Sequence, residues 1–282
     1  MTRAAALAAL HGAVLLFGFA GLFGKWLDLS PVAIVLGRTA VAAAALGILQ
    51  LRAGQVRPPF ELRLVTNGAV LALHWVSFFA AIQVASVAIG LLGYATFPLF
   101  VLVLEQLLLR RRWTPRKIMT ALLVIVGLVT IVPEFSLANH TVQGLAWGCV
   151  SGFAFALLTV LNRRYVATRK ATDIAFWQNL CAALCLLPFA WTSPWALGDI
   201  GGREIGLLIV LGLVCTALAH TLFIASLRRV SAHTASVVAA LEPVYGIVLA
   251  LVLQGEVPGA RTVVGGALIV GAAIVATRYP MR

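Results

Sequence analysis

Charge is what this chain has least of. Only 11% of its 282 residues are charged, and just nine are acidic. A soluble domain is about 25% charged and about 45–50% apolar. Here 62% of the residues are hydrophobic and the mean hydropathy is +1.03. Water penalises so apolar a surface, whereas a bilayer favours it. Cysteine is also scarce, and Cys149, Cys181, Cys185 and Cys215 all fall inside apolar runs. Cys181 and Cys185 share a helical face but read as small buried hydrophobes rather than metal ligands. No metal and no cofactor is expected. Long polar stretches are missing too, which excludes a separate soluble domain. At about 20 residues per spanning helix, ten spans use up the chain.

Ten apolar segments are legible, at about 4–27, 31–51, 62–84, 86–109, 114–133, 142–163, 173–192, 204–227, 231–253 and 259–278. Proline-bearing breaks separate many of them, as at Arg57-Pro58-Pro59, Thr114-Pro115 and Pro258-Gly259. The apolar run after Met1-Thr2-Arg3 continues to about Leu27 with no cleavage-like site, so it reads as an uncleaved first span. The net charge of +12 would suggest nucleic acid in a soluble protein, but the basic residues cluster in short loops and orient the helices instead. With the N-terminus inside, 17 of the 21 lysines and arginines fall on the cytoplasmic side. Lys25, Arg203 and Arg261 fall outside, and Arg38 lies within a span. Both termini are therefore expected in the cytoplasm, membrane lipid is the surrounding partner, and no nucleic acid is bound.

The chain repeats itself. Residues 86–132 match 231–277 at an offset of 145, pairing Ser86 with Ser231, Pro98 with Pro243 and Arg116 with Arg261. A unit of five spans is odd, so its second copy enters the membrane from the opposite side. The fold expected is an all-α integral membrane protein, ten transmembrane helices as two inverted five-helix repeats, 1–140 and 141–282. Such pairs place a substrate path between the halves near the bilayer midplane. A mid-span proline removes a backbone hydrogen bond and kinks its helix. Pro98 and Pro243 are thus predicted hinges beside the cavity.

The stretches LEPVYGIVLALVLQGE (241–256), ATFPLFVLVLEQLLL (95–109) and GLAWGCVSGFAFALLTVLNRR (144–164), with Arg38 in the second span, resemble the drug/metabolite transporter superfamily, specifically its ten-helix EamA-type members. One departure is that Arg110-Arg111-Arg112 stands where the second repeat has Gly255-Glu256. The resemblance implies a bacterial inner-membrane carrier of small organic metabolites, usually an exporter. Within the family the chain looks most similar to aromatic amino acid exporters of the YddG kind. A monomer or weak dimer is expected.

Ionisable groups inside a membrane are functional candidates, because each costs about 2.5–3.5 kcal/mol at a helix centre on insertion scales. Seven qualify: His11, Arg38, His74, Glu105, His220, His233 and Glu242. Glu105 reads as an ion-pair partner of the Arg110–Arg112 cluster, His11 as facing another helix, and His233 as interfacial. Arg38 reads as held by backbone carbonyls or an acid, or as a contact for a substrate carboxylate. The substrate site is expected from His74, Phe78 and Tyr94 in one half and from Phe155, Trp177 and His220 in the other, with Glu242 at its floor. Aromatic faces would hold an apolar side chain, and the histidines and hydroxyl its polar ends.

No catalytic residue is assigned, and an enzyme is not expected. There is no His-Glu-x-x-His motif, Gly148-Cys149-Val150-Ser151-Gly152 has the wrong spacing for an intramembrane serine protease, and no two mid-membrane aspartates exist. The first span holds no acid, unlike the small proton-coupled multidrug pumps. Arg38 alone would be too little cation for phosphorylated cargo. An amino acid, aromatic or otherwise neutral, exported by alternating access, is the reading. Another small metabolite or a proton-coupled drug-like cation is the alternative.

Overall fold

The computed structural model of the protein describes residues 1–54, 62–109, 115–132, 136, 138–192 and 200–278. Helices begin where hydroxyl and amide side chains interrupt the apolar runs. The Thr2 hydroxyl accepts from the Ala5 N–H, Ser30 from Ala33, Ser86 from Ile89 and the Asn139 carboxamide from Thr141, at 2.9–3.2 Å. Each satisfies an amide that the helix itself leaves unpaired. This matters more in lipid, where water is absent.

In chain order the helices are α1 Arg3–Trp26, α2 Pro31–Arg52, α3 Leu62–Val84, α4 Val87–Tyr94, α5 Phe97–Leu109, α6 Pro115–Ile131 and α7 His140–Tyr165. They continue with α8 Ala171–Thr192, α9 Gly202–Gly212, α10 Ala219–Ser226, α11 Ala232–Ala239, α12 Glu242–Gln254 and α13 Ala260–Arg278. Among the described residues there is no strand. A π-helical turn, Leu213–Leu218, joins α9 to α10 as one span. Among the described residues seven stretches are long and apolar enough to cross a membrane, and there are three shorter apolar helices. The ten spans of this multi-pass membrane protein are α1, α2, α3, α4 with α5, α6, α7, α8, α9 with α10, α11 with α12, and α13.

The repeat is visible in the helix limits of the fourth and ninth spans. Adding 145 to α4 and α5 gives Ala232–Ala239 and Glu242–Gln254, the limits of α11 and α12. Packing repeats as well. The contact of α3 with α7 has its counterpart in α10 with α1, that of α5 with α7 in α12 with α1, and that of α3 with α8 in α9 with α2. The pairs α2 with α8 and α6 with α13 map onto themselves. Two close approaches depend on glycine. A Cβ on Gly148 would lie 2.8 Å from Gly93 Cα, and one on Gly18 would lie 3.0 Å from Gly246 N. Backbone-to-backbone packing of this kind is how small residues join helices where lipid is the solvent.

Polar contacts lace both ends of the bundle. At one end Lys25 donates to the Gln83 and Ala85 carbonyls, Gln83 to Leu29 and Gln254 to Leu22. There the Glu256 carboxylate accepts the Val87 and Ala88 N–H groups at 3.1 and 2.9 Å. At the other end Arg228 donates to the Val166 and Arg169 carbonyls, and Gln50 to Asp173.

Candidate functional site

Two spans are broken rather than bent. α4 stops at Tyr94 and α5 starts at Phe97, while α11 stops at Ala239 and α12 starts at Glu242. The predicted kinks at Pro98 and Pro243 are therefore full interruptions lying just upstream of each proline. The physical reason is positional. Each proline is the second residue of the new half-helix, where an amide has no intrahelical acceptor and its absence costs little. In the fourth span the Thr96 hydroxyl closes the break by donating to the Gly93 carbonyl at 2.8 Å. The interruptions leave Tyr94 at the end of one half-helix and Glu242 at the start of another.

Both face one cavity, lined by Phe17, Ala20, Arg38, His74, Trp75, Phe78, Tyr94, Phe155, His220 and Glu242. It encloses about 20 Å³, room for about one water molecule. Phe155 is its hub. Its ring stacks on His74 at 4.6 Å between centroids and lies 5.0 Å from both Phe97 and Phe223. Phe17 meets it edge-on at 6.1 Å, and Tyr94 lies 5.7 Å away. Admitting anything larger than water requires these rings to part.

The ionisable groups are held by neutral partners. Arg38 is 1% exposed; its Nε donates to the Thr216 hydroxyl at 2.8 Å and its Nη2 to the Cys215 carbonyl at 3.2 Å. Thr216 in turn donates to the Leu211 carbonyl, five residues back, as the π-helical turn allows. The guanidinium stands 4.0 Å above the Trp75 ring and 5.4 Å from Phe79. A desolvated cation gains about 2 kcal/mol from such a face. Glu242 is 3% exposed. Its carboxylate is within hydrogen-bonding reach of the Tyr94 hydroxyl, while Oε2 has no hydrogen-bond partner.

The histidines are positioned from neighbouring helices. His74 Nδ1 lies 2.8 Å from the Ser151 hydroxyl and 3.1 Å from the Ser151 carbonyl oxygen. His220 Nε2 lies 3.0 Å from Gln178 Oε1, and Gln178 donates to Asn162 at 2.6 Å. The His220 Nδ1 atom is buried without a partner.

Of the residues singled out in the sequence, His74, Phe78, Tyr94, Phe155, His220 and Glu242 come together around this cavity. Trp177 does not line it; that half-buried ring packs beside Phe176 on the core. The tryptophan at the cavity is Trp75, which also meets His220 at 5.6 Å. Phe17, Ala20 and Trp75 were not chosen from the sequence. In helices apolar on every side, periodicity does not mark the inward face. Arg38 has the carbonyl partner expected of it. His11 is exposed instead of facing a helix. Glu105 is half-buried, but Arg110–Arg112 lie outside the described residues, as does the side chain of His233.

The family model described as the EamA-like transporter family matches residues 4–132 and 142–278. The pseudopaline exporter CntI of Pseudomonas aeruginosa is 31% identical over 252 residues, covering 87% of this chain and 85% of the exporter. An S-adenosylmethionine uptake transporter of Rickettsia conorii is 24% identical, covering 73% of this chain and 68% of its own length. A crystal structure with 21% sequence identity superposes with a TM-score of 0.70 and covers 98% of both chains, which shows the fold.

Proposed function

Since this chain belongs to the EamA-like transporter family, a family of carriers of small molecules rather than enzymes, we propose that its cargo is zwitterionic, an amino acid or a close analogue. One observation carries this reading. A buried guanidinium and a buried carboxylate line the same cavity, and each is tied to neutral groups. Each buried charge is costly in lipid, so a site that keeps both is matched to a ligand bearing both signs. The substrate ammonium would meet Glu242 Oε2 and His220 Nδ1, buried atoms without a partner among the residues that line this cavity. Its carboxylate would meet Arg38. The rings of Phe17, Phe78 and Phe155 would hold an apolar side chain, aromatic ones included.

Residues 1–140 and 141–282 act as two halves that rock about the cavity, with the broken fourth and ninth spans as hinges at Pro98 and Pro243. The protein sits in the inner membrane with both termini in the cytoplasm, which puts Glu256 outside. Export is the direction assigned, on the likeness to the pseudopaline exporter. Counterflow into liposomes loaded with a panel of metabolites tests the reading. Neutral amino acids should exchange saturably, whereas exchange confined to amines or sugars would overturn it.

A further inference from the structure

A second cavity, of about 460 Å³, opens between the beginning of α3 and the end of α7, far along both helices from His74 and Ser151. Thr66, Asn67, Leu161, Arg164 and Tyr165 line it. These side chains supply a guanidinium, a carboxamide and two hydroxyls, and no carboxylate is among them. Asn67 is 1% exposed, and its Nδ2 donor has no hydrogen-bond partner. A buried amide donor left unpaired costs about 1–3 kcal/mol, so it points to a ligand acceptor. Arg164 stands exposed at the same rim. Arg163, Arg169, Lys170 and Arg228 crowd this end of the bundle in the sequence.

We propose that this pocket binds the phosphoryl group of an anionic phospholipid. A guanidinium with neutral N–H and O–H donors is the set that holds a phosphate. Basic pockets between spanning helices are where anionic headgroups dock. Leu161 gives the first carbons of the lipid an apolar wall. The bound lipid braces α3 against α7, the two helices joined deeper in the membrane by the contact of His74 with Ser151. The site is separate from the central cavity and does not depend on which cargo that cavity carries.

Native mass spectrometry of the full-length protein in detergent tests this. The protein is titrated with phosphatidylglycerol, with diacylglycerol, which lacks the phosphoryl group, and with inorganic phosphate. Phosphatidylglycerol should bind, and Arg164→Gln should weaken that binding roughly five- to tenfold. Asn67→Leu should weaken it too, while Arg163→Gln, a neighbouring cation outside the lining, should bind as the parent does. Displacement of the lipid by inorganic phosphate would extend the site to the free anion, and failure to displace it would restrict the site to lipid. Equal lipid binding by the Arg164→Gln and Arg163→Gln proteins, or equal binding of diacylglycerol and phosphatidylglycerol, would overturn the proposal.

Discussion

Arg38 and Glu242 wall the same cavity from the second and ninth spans, yet each is held by different neutral groups: Arg38 by Thr216 and Cys215, Glu242 by Tyr94. Two opposite charges this deep would gain most by pairing directly. Holding them to separate neighbours instead leaves Glu242 Oε2 without a hydrogen-bond partner at the cavity. Tyr94 links this arrangement to the proposed hinge, because it ends the half-helix that precedes Pro98.

The proposed hinge is open to test through its prolines. Alanine at position 98 or 243 restores an N–H that can reach the carbonyl four residues back and extend the helix across its break. The Pro98→Ala, Pro243→Ala double variant should retain its level in the membrane but lose most of its flux. Parental flux in the double variant would count against gating by broken spans.

Much of this architecture was legible beforehand, and the reasons differ by feature. Span limits followed from apolar runs with polar punctuation, which is why Ser86 opens a span in both sequence and structure, whereas Asn139 caps α7 ahead of the start expected near 142. The repeat was legible because Pro98 and Pro243 share an offset that the helix limits then reproduce. The complete breaks were less so, since proline announces a missing hydrogen bond but not where the preceding half-helix ends. Nothing in Leu213–Leu218 announced a π-helical turn. Side-chain direction was the least accessible: Trp75 and Trp177 sit in equally apolar surroundings in the sequence, and only packing puts Trp75 at the cavity.

Glycine contacts set the stability of the bundle. Gly148→Val places a branched side chain where even a Cβ meets Gly93 Cα at 2.8 Å. Overpacking of this kind costs about 1–3 kcal/mol. Gly12→Ala, with nothing within 4 Å of the added carbon, serves as the control. Thermal unfolding in detergent should show a lowered Tm for the first and an unchanged or raised Tm for the second.

Glu256 closes one end of the bundle by capping α4 from the end of α12. A carboxylate at a helix N-terminus contributes about 0.3–1 kcal/mol, and up to ~2 kcal/mol when partly buried. Glu256→Gln should therefore favour the state open at that end. A cysteine replacing Ala20 at the cavity, in a background lacking the native cysteines, would report this with an impermeant thiol reagent. Labelling from the Glu256 side should speed up in the variant, and an unchanged rate would show that this contact does not hold the end closed.

The most direct test of a zwitterion site compares three cargoes in liposome counterflow: a transported amino acid, the amine left by removing its carboxylate, and the acid left by removing its ammonium. The parent protein should move the amino acid best. Arg38→Gln should erase the advantage of the amino acid over the amine, and Glu242→Gln its advantage over the acid. If both variants slowed all three cargoes by the same factor, Arg38 and Glu242 would be structural groups, and the cavity would not read the two charges of its cargo.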